Sequence, residues 1–132
     1  MGSRKKKKSF IKKEKKKKEV YVKLKNCNIS PRKMRLIANI IRGKNIIDSL
    51  NILKNIKRYS SIIFEKLLLS LLNNWKIKKK INNFDEIEYS KLYIREILVN
   101  ESYSLKRLLT APQGRGNQIK KRFSNIKIKI DL

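Results

Sequence analysis

Residues 91–132 read KLYIREILVNESYSLKRLLTAPQGRGNQIKKRFSNIKIKIDL, and the fold is decided here. Ile126, Ile128 and Ile130 alternate with Lys127, Lys129 and Asp131, the period of two that a half-buried strand requires. Upstream, Leu92, Ile94 and Leu98 fall on one face of an extended chain, and Tyr93, Arg95, Ile97 and Val99 on the other. Between these segments, from about Ser102 to Lys121, alternation fades and the residues turn basic or small. The reading is a long β-hairpin over about 91–131 with an irregular, basic tip at about 105–120. Each arm of about 14 residues reaches on the order of 45 Å at about 3.3 Å per residue. A two-stranded ribbon of that length is marginal in water on its own. The charge of its tip points to an anion as the missing support.

The whole chain repeats that signal. Lys and Arg number 36 against 10 Asp and Glu in 132 residues, a formal charge of +26. Such a balance suits a polyanionic partner: nucleic acid first, an anionic membrane surface second. The sequence has no histidine, hence no ready general base near neutral pH. Cys27 is the sole cysteine, so neither an internal disulfide nor a Cys-ligated zinc site is available, and a reducing cytoplasm is the natural setting. No apolar run nears the roughly 20 residues of a membrane helix, and the N-terminus lacks the apolar stretch of a secretory signal. Asp85, Glu86 and Glu88 cluster in a polar Lys78–Ser90 loop without partnering ligands, so no metal is expected. No phosphate-binding loop, catalytic triad or dinucleotide turn occurs. The expectation is no enzyme, no cofactor, no membrane and no homo-oligomer.

Residues 1–19 form a basic N-terminal extension, expected to be disordered when free because its lysines repel and it has almost nothing to bury. Residues 20–132 form one domain. Val20, Val22 and Leu24 alternate with Tyr21, Lys23 and Lys25 as a first strand. Ser30 then caps a helix with Pro31 at its first position. Met34, Ile37, Ala38 and Ile41 make its apolar face, and Gly43 ends it. Arg32, Arg35, Asn39 and Arg42 gather on another face, where guanidinium forks match phosphate oxygens. A second helix follows Asn45, with Ile46, Ile47, Leu50 and Leu53 as its buried stripe. A third spans about Ser60–Ile77, its stripe running through Ile63, Phe64, Leu67, Leu68, Leu71 and Trp75, and is expected to be buried on more than one side. The fold class is α+β: three helices on a three-stranded antiparallel sheet, with a protruding hairpin and a basic tail.

At the tip, Gly114 and Gly116 are expected to permit positive φ and leave Arg115 projecting between them. Lys106 and Arg107 flank one side and Lys120, Lys121 and Arg122 the other, a finger suited to a crevice in folded RNA.

Several motifs together resemble the family of the bacterial large-subunit ribosomal protein twenty-two. They are Ser30-Pro31-Arg32-Lys33-Met34-Arg35-Leu36 with Ile41-Arg42-Gly43-Lys44, Leu105-Lys106-Arg107, Ala111-Pro112-Gln113-Gly114-Arg115-Gly116, and Ile119 through Lys121-Arg122 to Ser124. The resemblance implies binding to large-subunit rRNA, support of subunit assembly, and residence in the cytoplasmic ribosome (or an organellar one). It implies rRNA contacts at Arg32, Lys33, Arg35, Arg42, Lys44, Lys106, Arg107, Arg115, Lys120, Lys121 and Arg122. It also implies a tip, Leu108, Leu109, Thr110, Ala111, Pro112, Gln113, Gly114, Arg115, Gly116 and Asn117, lining the polypeptide exit tunnel near protein four of the same subunit, beside the nascent chain. The sequence departs from the family at Leu109 and Thr110 (usually arginine and proline), Asn125 (usually histidine), Lys127 (usually threonine), and Leu71 and Leu72 (usually alanines). The alternative is a generic basic nucleic-acid-binding protein without ribosomal specificity.

Overall fold

The computed structural model describes residues 2–79 and 91–131. In order these form α1 (Ser3–Lys18), β1 (Val20–Cys27), α2 (Pro31–Ile41), α3 (Ile46–Asn55), α4 (Tyr59–Lys79), β2 (Tyr93–Ala111) and β3 (Arg115–Asp131). The expected loop at Lys78–Ser90 with its carboxylates lies outside the described residues, apart from Lys78 and Lys79, which end α4. The three strands form one antiparallel sheet in the order β1-β3-β2. α2 packs on β2 and β3, α4 on β1, and α3 on α4. The fold is the α+β arrangement the periodicities predict.

β3 is central, and Ile126, Ile128 and Ile130 are all buried, as their alternation requires. Strand β2 differs from its simple period of two. Leu92, Ile94, Ile97 and Val99 are all buried on one face, while Leu98 is exposed. A bulge explains it: Ile94 pairs with Ile130 but Glu96 with Lys129, so Arg95 is an extra residue that flips the phase of the strand from there to Glu101. Two side chains returned to the core gain about 1.5–3 kcal/mol each, against about 1 kcal/mol for a lost ladder hydrogen bond. Burial therefore wins. Arg95, thrown outward, pairs with Asp131 at 2.8 Å.

The helices follow their patterns with two corrections. In α2, Pro31, Met34, Ile37, Ala38 and Ile41 are buried, and Gly43 takes a φ of +75° just beyond the helix. In α3, Ile46 and Leu53 are buried, but Ile47 is exposed and Ser49 is buried instead. Its hydroxyl can afford burial because it donates to the Asn45 carbonyl at 2.7 Å. In α4, Phe64, Leu67, Leu68, Leu71 and Trp75 are buried, whereas Ile62 and Leu69 stand in solvent. This helix is buried on one broad side rather than on several.

At the start of the chain the expected disordered tail is instead helix α1. Its 16 residues contain no glycine or proline, and lysine is an adequate helix former. Phe10 and Ile11 are exposed, so the core gives this helix no support through them.

Candidate nucleic-acid interface

Where the three-stranded body ends, all three strands change. β1 bulges between Leu24 and Cys27, with Asn26 at a φ of +56°. The Asn26 amide donates to Asn125 Oδ1 of β3 at 2.9 Å, and Ser102 Oγ of β2 donates to Asn26 Oδ1 at 2.7 Å. This polar knot gives Asn125 a place in the fold. Cys27 pairs with Ser124 as the last contact of β1. Burial pushes the Cys27 thiol up from its ordinary range, with the Ser124 side chain opposing in part, so the thiol stays protonated and inert. β2 bulges at the same level, between Glu101 and Ser104, and within the bulge Tyr103 stacks on Phe123 with ring centroids 4.5 Å apart.

From there β2 and β3 run on alone. Pairing continues unbroken from Ser104↔Arg122 to Ala111↔Arg115, so the irregular tip expected over 105–120 is in fact regular ladder, closed by Pro112, Gln113 and Gly114. Alternation faded because both faces of the ribbon are exposed, and with no core there is no face to select. Leu108 is 80% exposed and Leu109 56%. The free ribbon of about 8 residues per arm spans on the order of 26 Å. Gln113 and Gly114 take positive φ, at +64° and +67°, whereas Gly116 does not and pairs with Thr110. A β-carbon at Gly116 would meet only Leu108 Cδ2, at 3.5 Å, an ordinary van der Waals contact.

The ribbon's charges are arranged across the strands. Lys106 pairs directly with Lys120, a like-charge arrangement that costs stability in water. Arg107, Lys121 and Arg122 lie within two ladder steps of that pair and Arg115 five steps on, and the nearest carboxylate shown with any of them, Glu101, stands 3.9 Å from Arg122. All of these cations are exposed. An anion close to both strands would turn a repulsive pair into a favourable one.

On the body, Arg32, Lys33, Arg35, Arg42 and Lys44 are likewise exposed along α2 and its exit. Two of them have work that the sequence reading missed. β2 is an edge strand, and its outer carbonyls need partners. The linker after α2 serves the near end: Gly43 and Ile46 donate to the carbonyls of Ile94 and Leu92, and Ile94 donates to Lys44, at 3.0–3.1 Å. Arg42 then donates to the Ile97 carbonyl at 3.2 Å, and Arg35 to the Val99 carbonyl through Nε and Nη2 at 3.3 and 3.1 Å. These two guanidiniums cap the edge and fasten α2 to the root of the hairpin. Each is exposed and has further N–H donors beyond these bonds, and no such bond is shown for Arg32. Strand order is the one signal that would have revealed the role, and composition does not carry it.

No helix among the described residues is long and apolar enough to cross a membrane. The profile of the family described as ribosomal protein L22p/L17e matches residues 22–131, which covers body and ribbon together. The chain belongs to the ribosomal protein L22p/L17e family. The large ribosomal subunit protein uL22 of Karelsulcia muelleri is 46% identical over 123 residues, 92% of this chain and 87% of that protein. The proteins of the same name from Flavobacterium johnsoniae and Porphyromonas gingivalis are 43% and 40% identical, covering 97% and 99% of this chain and 91% and 95% of theirs. As an L22p/L17e protein the chain is a ribosomal protein of bacterial type, and its relatives are named as structural parts of the ribosome rather than as enzymes.

Proposed function

We propose that this L22p/L17e protein is a structural constituent of the large ribosomal subunit that binds large-subunit rRNA through two surfaces. One is the basic side of α2 with its exit, Arg32, Lys33, Arg35, Arg42 and Lys44. The other is the ribbon, with Lys106, Arg107, Arg115, Lys120, Lys121 and Arg122. The observation that carries this reading is the Lys106↔Lys120 pair on an exposed ribbon that outruns its core, a repulsion that phosphate beside it would turn into attraction. The ribbon enters folded RNA and its end, Leu108–Asn117, lines the polypeptide exit tunnel near protein four, with the nascent chain passing it. The exposed Leu108 and Leu109 suit a wall that must pass many sequences without gripping any of them. The protein performs no chemistry; it stiffens and joins RNA segments during assembly and acts where the ribosome does, in the cytoplasm.

Binding of the purified chain to large-subunit rRNA fragments and to an unrelated duplex of equal length tests this. Neutralising about 8 phosphates gives a log–log salt slope of about −6 to −7. The reading requires tighter binding to the rRNA fragment at moderate salt and sedimentation with large subunits. Equal affinity for any duplex, without co-sedimentation, would make it a generic basic coating protein.

A further inference from the structure

The body and the foot of the ribbon enclose a groove of about 720 Å³ between α2, the start of α4 and β3. That is within the usual range for a small-ligand site. Lys33 of α2, Arg58 before α4, and Lys121 and Arg122 of β3 border it, and none of its lining residues is acidic. Its lining also includes Tyr59, 70% exposed, and Leu36, 51% exposed. Four cations around an open aromatic ring match the two halves of a nucleotide, with phosphates neutralised at the rim and a base laid on the ring. A duplex presents its phosphates but hides its base faces, so a stacking platform is of use only to an unpaired nucleotide. Charge complementarity and the exposed ring together choose the occupant.

We propose that this groove holds an unpaired RNA nucleotide, its base stacked on Tyr59 and its flanking phosphates on Lys33, Arg58, Lys121 and Arg122. The proposal rests on the RNA-binding reading above and gives it a single-strand-specific subsite at the point where the ribbon leaves the body. Such a subsite fixes the angle at which RNA meets both surfaces, since Lys33 belongs to one and Lys121 and Arg122 to the other.

The test uses the full chain with an eight-nucleotide single-stranded oligoadenylate and an RNA duplex of equal length, at one fixed salt concentration. Tyr59→Ala should weaken the single strand by about 5- to 150-fold, the range for losing one stacked base, with the salt slope unchanged. Tyr59→Phe should retain wild-type affinity, and neither variant should alter duplex binding. Lys33→Ala with Arg58→Ala should make the salt slope shallower by about 1 to 2. Because Tyr59 is mostly exposed, thermal unfolding of Tyr59→Ala should match wild type, and a large drop would show a packing role and overturn the proposal. It also fails if Tyr59→Ala leaves the single strand bound as before or weakens the duplex equally. Displacement of the oligonucleotide by polyglutamate, equally from wild type and Tyr59→Ala, would assign the groove to an acidic peptide and overturn it too. Each of these failures would leave the preference for large-subunit rRNA standing, so the two readings fall separately.

Discussion

Arg35 and Arg42 hold the fold with side chains that stay exposed, and in the proposed reading the same side chains meet the RNA. Each charged donor to a part-buried carbonyl is worth on the order of 1 kcal/mol or more. Arg35→Ala and Arg42→Ala should therefore each lower stability by about 1–2 kcal/mol in urea unfolding, whereas Arg32→Ala should change it by less than about 0.5 kcal/mol. Arg32→Ala should still weaken rRNA binding and make the salt slope shallower by about 1. Unchanged unfolding midpoints for Arg35→Ala and Arg42→Ala would show that the carbonyl contacts stabilise nothing. At the turn, Gly114 sits at a φ of +67°. Gly114→Ala should cost about 1–2 kcal/mol of ribbon closure, while Gln113→Gly should be neutral or stabilising. Ribbon amide exchange would show both effects. The sequence made the residue types legible at these sites but not their partners. A glycine pair in a turn announces left-handed backbone without saying which member uses it, and here Gln113 shares the role with Gly114 while Gly116 does not.

At the scale of elements, apolar periodicity was readable wherever one face was buried: α2 and β3 follow from Met34, Ile37, Ala38 and Ile41, and from Ile126, Ile128 and Ile130. In the hairpin it failed in two ways, each with a physical cause. A bulge at Arg95 shifted the phase of β2, and an extra residue in a strand leaves no mark in composition. Beyond Ser104 the ribbon lost its alternation because it has no buried face, so regular ladder resembled an irregular loop. The base of the ribbon also carries a pH dependence. Lys129 lies 2.8 Å from Glu96 and 3.4 Å from Glu19, tying β3 to β2 and to the start of β1. The Lys129 hydrogen bond holds the Glu96 carboxyl below its ordinary 4.5. A carboxyl depressed on folding stabilises fully above its unfolded value and loses that contribution as pH falls through the lower folded value. The Lys129 ammonium is raised above 10.5, chiefly by Glu96, so its share is present at neutral pH and lost only at strong alkali. Stability should thus be flat through neutrality and decline below about pH 4.5, where Glu96→Gln should flatten part of the decline, by at most about 1 kcal/mol for a half-buried pair at the surface. A decline identical in wild type and Glu96→Gln would remove this pair from the acid response.

At the scale of the whole molecule, the charge of +26 and the shape make one argument. Among the described residues the body buries a continuous core of twenty apolar residues reaching no further along the ribbon than Ile126 and Val99. Everything past the Cys27↔Ser124 pair is two strands with cations on both faces. Ladder hydrogen bonds, with one Tyr103–Phe123 stack at the foot, hold such a ribbon weakly in water, and its Lys106↔Lys120 repulsion weakens it further. The family's tie to the ribosome supplies the kind of polyanion that would reverse that balance. Amide hydrogen exchange over Ser104–Arg122, in the free chain and bound to large-subunit rRNA, tests this most directly. The account predicts rapid exchange in the free chain and strong protection in the complex, with Ile126–Ile130 protected in both. Equal, strong protection of Ser104–Arg122 in the free chain would contradict it.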